Sequence, residues 1–250
     1  MEWLEACCLA RRGGSVPQRI YSFHLAQLGV LGVGRALLQP PRAARNPGLL
    51  HAECLAPMRL GAPILAPWRW RLGTLALFAS WRDEEDLERF LGGTRLGERL
   101  SAGWHVRLEF LRRWGRVAAL EGLPAQVRET DPDEPVVALT LARLRLLEVP
   151  RFLRWGKPVE RLVRDHPGQT LALAAARPWR TIATFSVWRS AKEMLDMVGG
   201  RSEGVSGRRR HVDAMAERSR RGFHSEFTTL RFSCRSEHGT WEGREGIVPL

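Results

Sequence analysis

Several familiar markers are scarce or missing in this chain, and each absence narrows what it can be. Of its 39 basic residues only Lys157 and Lys192 are lysine, the remainder being arginine. No apolar run approaches the roughly 18 residues of a membrane-spanning helix. The opening Met1-Glu2-Trp3-Leu4-Glu5 is acidic and its apolar stretch is too short for a secretory signal, so residues 1–14 are expected to be an unstructured leader on a cytoplasmic protein. The four cysteines, Cys7, Cys8, Cys54 and Cys234, form no C-x-x-C, which argues against a structural zinc site or a disulfide framework. No histidines stand at H-x3-H spacing and no Glu-x-x-His occurs, so a non-haem metal centre has no support. The nucleotide and hydrolase signatures G-x-G-x-x-G after a strand, the Walker loop and G-x-S-x-G are also missing, and the glycines between Gly29 and Gly34 have the wrong spacing.

The formal net charge is +12. Arginines run through every segment interleaved with acids, the pattern of solvated faces in an arginine-rich protein. An RNA-recognition module needs aromatics on the exposed face of its central strands. Here the segments 74–82 and 181–189 hold one central aromatic each, Phe78 and Phe185, so no specific nucleic-acid partner is expected. A peripheral contact with an anionic membrane is compatible with the charge.

An internal repeat is the strongest positive signal. Thr74-Leu-Ala-Leu-Phe-Ala-Ser-Trp-Arg82 aligns without a gap on Thr181-Ile-Ala-Thr-Phe-Ser-Val-Trp-Arg189, with five of nine positions identical. Beyond it Leu87 and Phe90 fall opposite Met194 and Met197, a spacing of three that suits the buried stripe of a helix. Gly103-Trp104-His105 faces Gly222-Phe223-His224, Tyr21 to Gln27 faces Val136 to Arg143, and Pro47-Gly48 faces Pro167-Gly168. Leu49 to Leu55 and Thr170 to Ala175 read as second strands. Each copy thus predicts strand, helix, strand, strand, helix, strand, over residues 15–125 and 134–250, joined by the turn-rich stretch 129–135. That order is a ferredoxin-like unit. Two such units in one chain predict an α+β fold of tandem βαββαβ repeats, their sheets closing into the barrel that separate chains otherwise form as dimers.

The copies differ in one place. Trp81 and Trp188 are 107 residues apart but Gly103 and Gly222 are 119 apart, so the second copy carries 12 extra residues, within 199–222. They hold Arg208-Arg-Arg-His-Val-Asp-Ala-Met-Ala-Glu-Arg218, in which Val212, Met215 and Ala216 suggest an apolar helical stripe with His211 at its edge.

The second copy resembles the spheroidene monooxygenase family of carotenoid-oxidising proteins. The likeness rests on Val137 to Arg143 as opening strand, Phe152 to Val159 as the following helix, and Thr184-Phe-Ser-Val-Trp-Arg189. It continues through His211 before a helix, then Phe223, Ser225-Glu226, Arg231-Phe232 and the closing Gly239-Thr-Trp-Glu-Gly243. It covers residues 135–243 well and the first copy only loosely, and Phe223 stands where the family usually has an indole. The resemblance implies a haem-associated monooxygenase of dimeric-barrel-like fold, with an apolar polyene substrate and an electron donor, in carotenoid biosynthesis.

On this reading His211 is the expected haem-iron ligand, because neutral imidazole is a strong axial donor. His224, after an aromatic, is the second candidate, and Arg189 is a candidate partner for a propionate, as are Arg208 to Arg210. Glu226 is a candidate for orienting a histidine. Phe185, Val187 and Trp188 are expected to line the substrate pocket. No catalytic residue is assigned. Two other readings stay open: a cofactor-free small-molecule monooxygenase and a non-catalytic ligand-binding barrel.

Overall fold

The computed structural model describes residues 19–63, 65–178 and 181–249; the leader 1–14 with Cys7 and Cys8 lies outside the described residues. The first half runs β1 (Ile20–Gln27), α1 (Gly29–Leu38), β2 (Leu49–Met58), β3 (Thr74–Trp81), α2 (Glu84–Gly93), α3 (Arg95–Ser101) and β4 (Trp104–Arg116). The second runs β5 (Val136–Leu144), α4 (Val149–Arg164), β6 (Gln169–Arg177), β7 (Thr181–Trp188), α5 (Ala191–Gly199), α6 (Arg210–Arg220) and β8 (His224–His238). The order strand, helix, strand, strand, helix, strand therefore occurs in each half. The segment between third and fourth strands adds a short α3 in the first half and a longer α6 in the second, so the extra residues lengthen a region that both halves possess.

The strands close into one antiparallel barrel in the order β1-β3-β2-β6-β7-β5-β8-β4. Each half contributes four neighbouring strands, and the seams are β2 with β6 and β4 with β8. Trp81 and Trp188 end β3 and β7 in matching register, opposite Ile20 and Leu49 in one half and Val136 and Gln169 in the other.

Local chemistry matches in both halves. Asp83 caps α2 by accepting the Asp86 N–H, and Ser190 caps α5 by accepting the Glu193 N–H, each satisfying a helix-start donor. Leu87 and Phe90, and Met194 and Met197, are buried as their spacing predicts. At Gly48, where φ is +80°, an added Cβ would lie 1.9 Å from the Asp86 carboxyl group, so only glycine fits.

Side chains fill the barrel interior. Phe23 and Phe185 stack with ring centroids 3.7 Å apart, and Tyr21, Phe78, Phe110 and Phe232 pack around them. The same core takes in Val117, Leu120 and Leu123 after β4, and Trp241, Ile247 and Val248 after β8. Glu237 holds the latter segment by accepting from the Ile247 and Val248 amides (3.0 and 2.8 Å) and from Trp104 Nε1 (2.7 Å). An eight-stranded barrel is just wide enough for side chains or one small ligand, and here the aromatic and aliphatic side chains fill it. A ligand site must be sought outside it.

The halves are also tied across the seam. The β2–β3 loop reaches α4 through Arg69, which is 4% exposed and makes a two-pronged ion pair with Glu160 at 2.7 and 3.0 Å. Glu160→Ala would strand that buried cation, and the expected cost is about 3 kcal/mol. Urea unfolding of the variant checks this, and a loss below about 1 kcal/mol would show that the pair contributes little.

Candidate functional site

The two halves treat the outer faces of their sheets differently. In the first half, α1 packs on β2 and β3, and α3 on β1 and β4. The outward residues Leu75, Leu77, Cys54 and His24 are each 0% exposed. In the second half α4 meets chiefly β6 and α6. Its C-terminal part reaches the sheet through Leu162 and Val163, whereas Phe152, near its start, packs edge-on against Phe223 and His224.

Strand register allows the comparison position by position. Leu77 corresponds to Thr184, His24 to Thr140, His105 to Thr229 and Cys54 to Ala174. The rung Trp114–Thr229–Thr140–Thr184–Ala174 therefore crosses β4, β8, β5, β7 and β6. Thr184, in the middle of a central strand, is exposed, and Thr140 and Thr229 are half-buried with their hydroxyls 3.2 Å apart. Ala138, Ser186 and Ala172 lie on the rung to one side, and Phe227, Ala142 and Ile182 on the other. At the four positions compared, a smaller side chain replaces a larger one, and Thr184 is exposed where Leu77 is buried, a shallow cleft in the outer face.

Of the expected site residues, His224 packs beside Phe227 of this face, while His211 is on α6. His211 lies in the first turn of α6, and its Nδ1 is 3.0 Å from the Val198 carbonyl. A carbonyl oxygen only accepts, so Nδ1 carries the proton and Nε2 keeps its lone pair. Burial lowers the His211 pKa from its ordinary 6.5, holding the ring neutral. His224 opens β8 between Phe152, Phe223 and Phe227. Burial, with a smaller contribution from the Arg218 charge, brings its pKa to about 4. Arg218 lies seven residues, about two turns, beyond His211, and its guanidinium sits 3.8 Å from the Phe227 ring centroid, joining α6 to the floor. Between α4 and α6 runs a groove of about 230 Å³ lined by Arg154, Trp155, Pro158, Arg210 and Asp213.

The remaining expected residues do not gather here. Phe185 and Val187 point into the barrel core, while Trp188, one residue on, faces the opposite side and packs with Met194 and Met197. These three side chains do not share one pocket. Arg189 is exposed and is held by its backbone N–H to Gly168. Glu226 pairs with Arg143 at 3.2 Å and orients no histidine in the structure. The face of α6 also differs from expectation: Ala214 and Glu217 are buried and Ala216 is exposed. Glu217 accepts from Arg151 of α4 at 2.8 Å, an ion pair that ties α6 to α4. Among the described residues no cluster of three or more His, Cys, Asp or Glu is placed to hold a metal ion, and no helix is long and apolar enough to cross a membrane.

Sequence reasoning passed over Arg231 as a functional side chain. It lies on the outer face of β8 between Arg112 and Ala138 and is 6% exposed. Its only sequence signal was the Arg231-Phe232 pair.

No protein-family model matches the chain. Spheroidene monooxygenase of Rubrivivax gelatinosus is 28% identical over 216 residues, which cover 85% of this chain and 79% of that protein. This chain is similar in sequence to the spheroidene monooxygenases. A second spheroidene monooxygenase, of Rhodobacter capsulatus, is 27% identical over 136 residues, covering 54% of this chain and 53% of that protein. Among solved structures an aldoxime dehydratase matches with a TM-score of 0.55 at 10% identity, over 90% of this chain and 84% of its own. Another, in complex with butyraldoxime, matches at 0.53 and 11% identity, over 93% and 86%. These structures share the fold, and the spheroidene monooxygenases share the sequence.

Proposed function

We propose that this protein is a monooxygenase-type oxidoreductase that acts on an apolar, carotenoid-like substrate, with haem held over the open outer face of the second-half sheet. Its two halves, 15–125 and 134–250, are read as tandem ferredoxin-like repeats, one rigidly packed and supporting, the other opened to bind. The observation that carries the haem assignment is His211, a neutral imidazole with Nδ1–H donated to the Val198 carbonyl and Nε2 left with its lone pair. That is the form in which histidine serves as a metal ligand, with a carbonyl fixing its tautomer.

The surroundings suit a flat, largely apolar group. The floor is built from Ala138, Thr140, Ala142, Ala174 and Thr184, of which Thr140, Ala174 and Thr184 are smaller than their first-half counterparts His24, Cys54 and Leu77. Bound there, haem would supply the redox chemistry at iron by which one atom of dioxygen is inserted and the other, with two electrons from the donor, leaves as water. The chain's own residues then have three tasks. His211 holds the iron, the aromatic group of Phe152, Phe223 and Phe227 excludes water near His224, and the threonine hydroxyls offer polar contacts on an otherwise apolar floor. An electron donor is required as a partner, the arginine-rich surface suits peripheral contact with an anionic membrane, and the cytoplasm is the proposed location.

Protein expressed with a haem supply is expected to show a Soret band. His211→Ala should abolish or shift the band and leave the far-ultraviolet circular dichroism unchanged. An unaltered band in His211→Ala would remove this residue from the mechanism and move the ligand role to His224. No band in the wild type would favour the cofactor-free or binding-only reading.

A further inference from the structure

Arg231 presents a physical difficulty that the proposed function does not resolve. It is 6% exposed, its Nε has no hydrogen-bond partner, and no carboxylate among the described residues pairs with it. Its cross-strand neighbour on β4 is a second arginine, Arg112, whose Nε is also without a partner. Both guanidinium groups stand against the indole of Trp114, with Cζ atoms 4.7 and 4.1 Å from the ring centroid. An aromatic face attracts one cation modestly, but it leaves two adjacent positive charges uncompensated. Burying a charge without a counter-charge costs several kcal/mol. The pair lies on the rung next to Thr229 and Thr140, at the edge of the cleft floor.

We propose that Arg231 and Arg112 form a carboxylate subsite of the cleft, with Trp114 as its wall. The guanidinium fork of Arg231 engages the carboxylate through paired N–H donors, and Arg112 supplies the second positive charge. Burial and the Arg112 charge lower the Arg231 pKa to about 10. This proposal rests on reading the second-half cleft as the functional site. The carboxylate belongs either to a haem propionate or to a free apolar carboxylate.

The test uses the full chain and two probes. Benzoate, added without haem, is expected to raise the melting temperature of the wild type. Arg231→Met, which keeps the bulk and removes the charge, is expected to melt higher than wild type without benzoate and to bind benzoate at least about tenfold more weakly. Haem and haem dimethyl ester are then titrated by absorbance. A wild-type preference for the free acid that disappears in Arg231→Met assigns the carboxylate to the cofactor, and a benzoate effect alone assigns it to a free ligand. Either result supports the subsite, and the benzoate arm stands even if haem does not bind. Equal benzoate responses in wild type and Arg231→Met, with no discrimination between haem and its ester, would overturn it. If Arg231→Met does not fold, Arg112→Met provides the same comparison.

Discussion

Replacing Thr184 by leucine should close the cleft, weakening haem binding at least 100-fold (roughly 3 kcal/mol) while leaving the fold intact or more stable. The first half already contains this experiment. Leu77 occupies the register position of Thr184, is 0% exposed, and packs with Leu75, Phe90 and the rest of that half's outer core. Thr184 is exposed in the middle of a central strand, at the position where leucine is fully buried in the first half. Leucine there occupies the space that the proposed ligand needs, without touching His211 or Arg231. Titration followed by the Soret band, together with thermal melting, separates the outcomes. Tight haem binding by a stable Thr184→Leu protein would place the ligand elsewhere, and the groove between α4 and α6 would become the better site. A protein that lost binding because it had unfolded would show itself in the melt, and Thr184→Val would then supply the milder version of the same test.

How far the site could be read from sequence depends on which interactions define it. The order of strands and helices was legible because it is written in local chemistry: a strand ending in Trp-Arg, a capping residue, and apolar residues three apart on the next helix. Trp81 and Trp188 sit where that alignment placed them. His211 was legible as a histidine in a segment longer in one half than in the other. The cleft was not. It appears only when outward residues of the two halves are compared rung by rung, and the rungs depend on cross-strand register. Phe185, Val187 and Trp188 lie within four residues of one strand, but strand alternation sends Trp188 to the face opposite the other two. The α6 face was misjudged because Glu217, a charged residue, is buried in an ion pair with Arg151 of another helix. Arg231 was invisible as a site because what distinguishes it is the lack of a carboxylate nearby, a property of three-dimensional surroundings.

Acid should destabilise this protein well before its carboxylates titrate. His24 is fully buried, and burial, aided by the neighbouring His105, Arg107 and His238, lowers its pKa well below 6.5. His51 and His224 are brought to about 4, chiefly by burial, with Arg143 and Arg218 adding to the effect. At His51 burial outweighs Glu53, whose carboxylate 3.8 Å away favours the charged ring. These folded-state values lie below the unfolded value, so the unfolded chain binds more protons in this range. The stability they contribute is therefore complete above about pH 6.5 and is lost as pH falls towards 4. At pH 5 unfolding takes up about three protons through these residues, and each contributes roughly 1.4 kcal/mol per pH unit. Urea unfolding should accordingly give a free energy about 3–4 kcal/mol lower at pH 5 than at pH 6. Carboxylates held down by arginine, such as Glu134 beside Arg128, add their own loss only at lower pH. The assignment can be checked residue by residue, because His224→Gln should reduce the slope between pH 6 and 5 by about one proton. A flat profile over this range would mean that the folded protein takes up these protons, with its buried histidines charged against the surroundings described here.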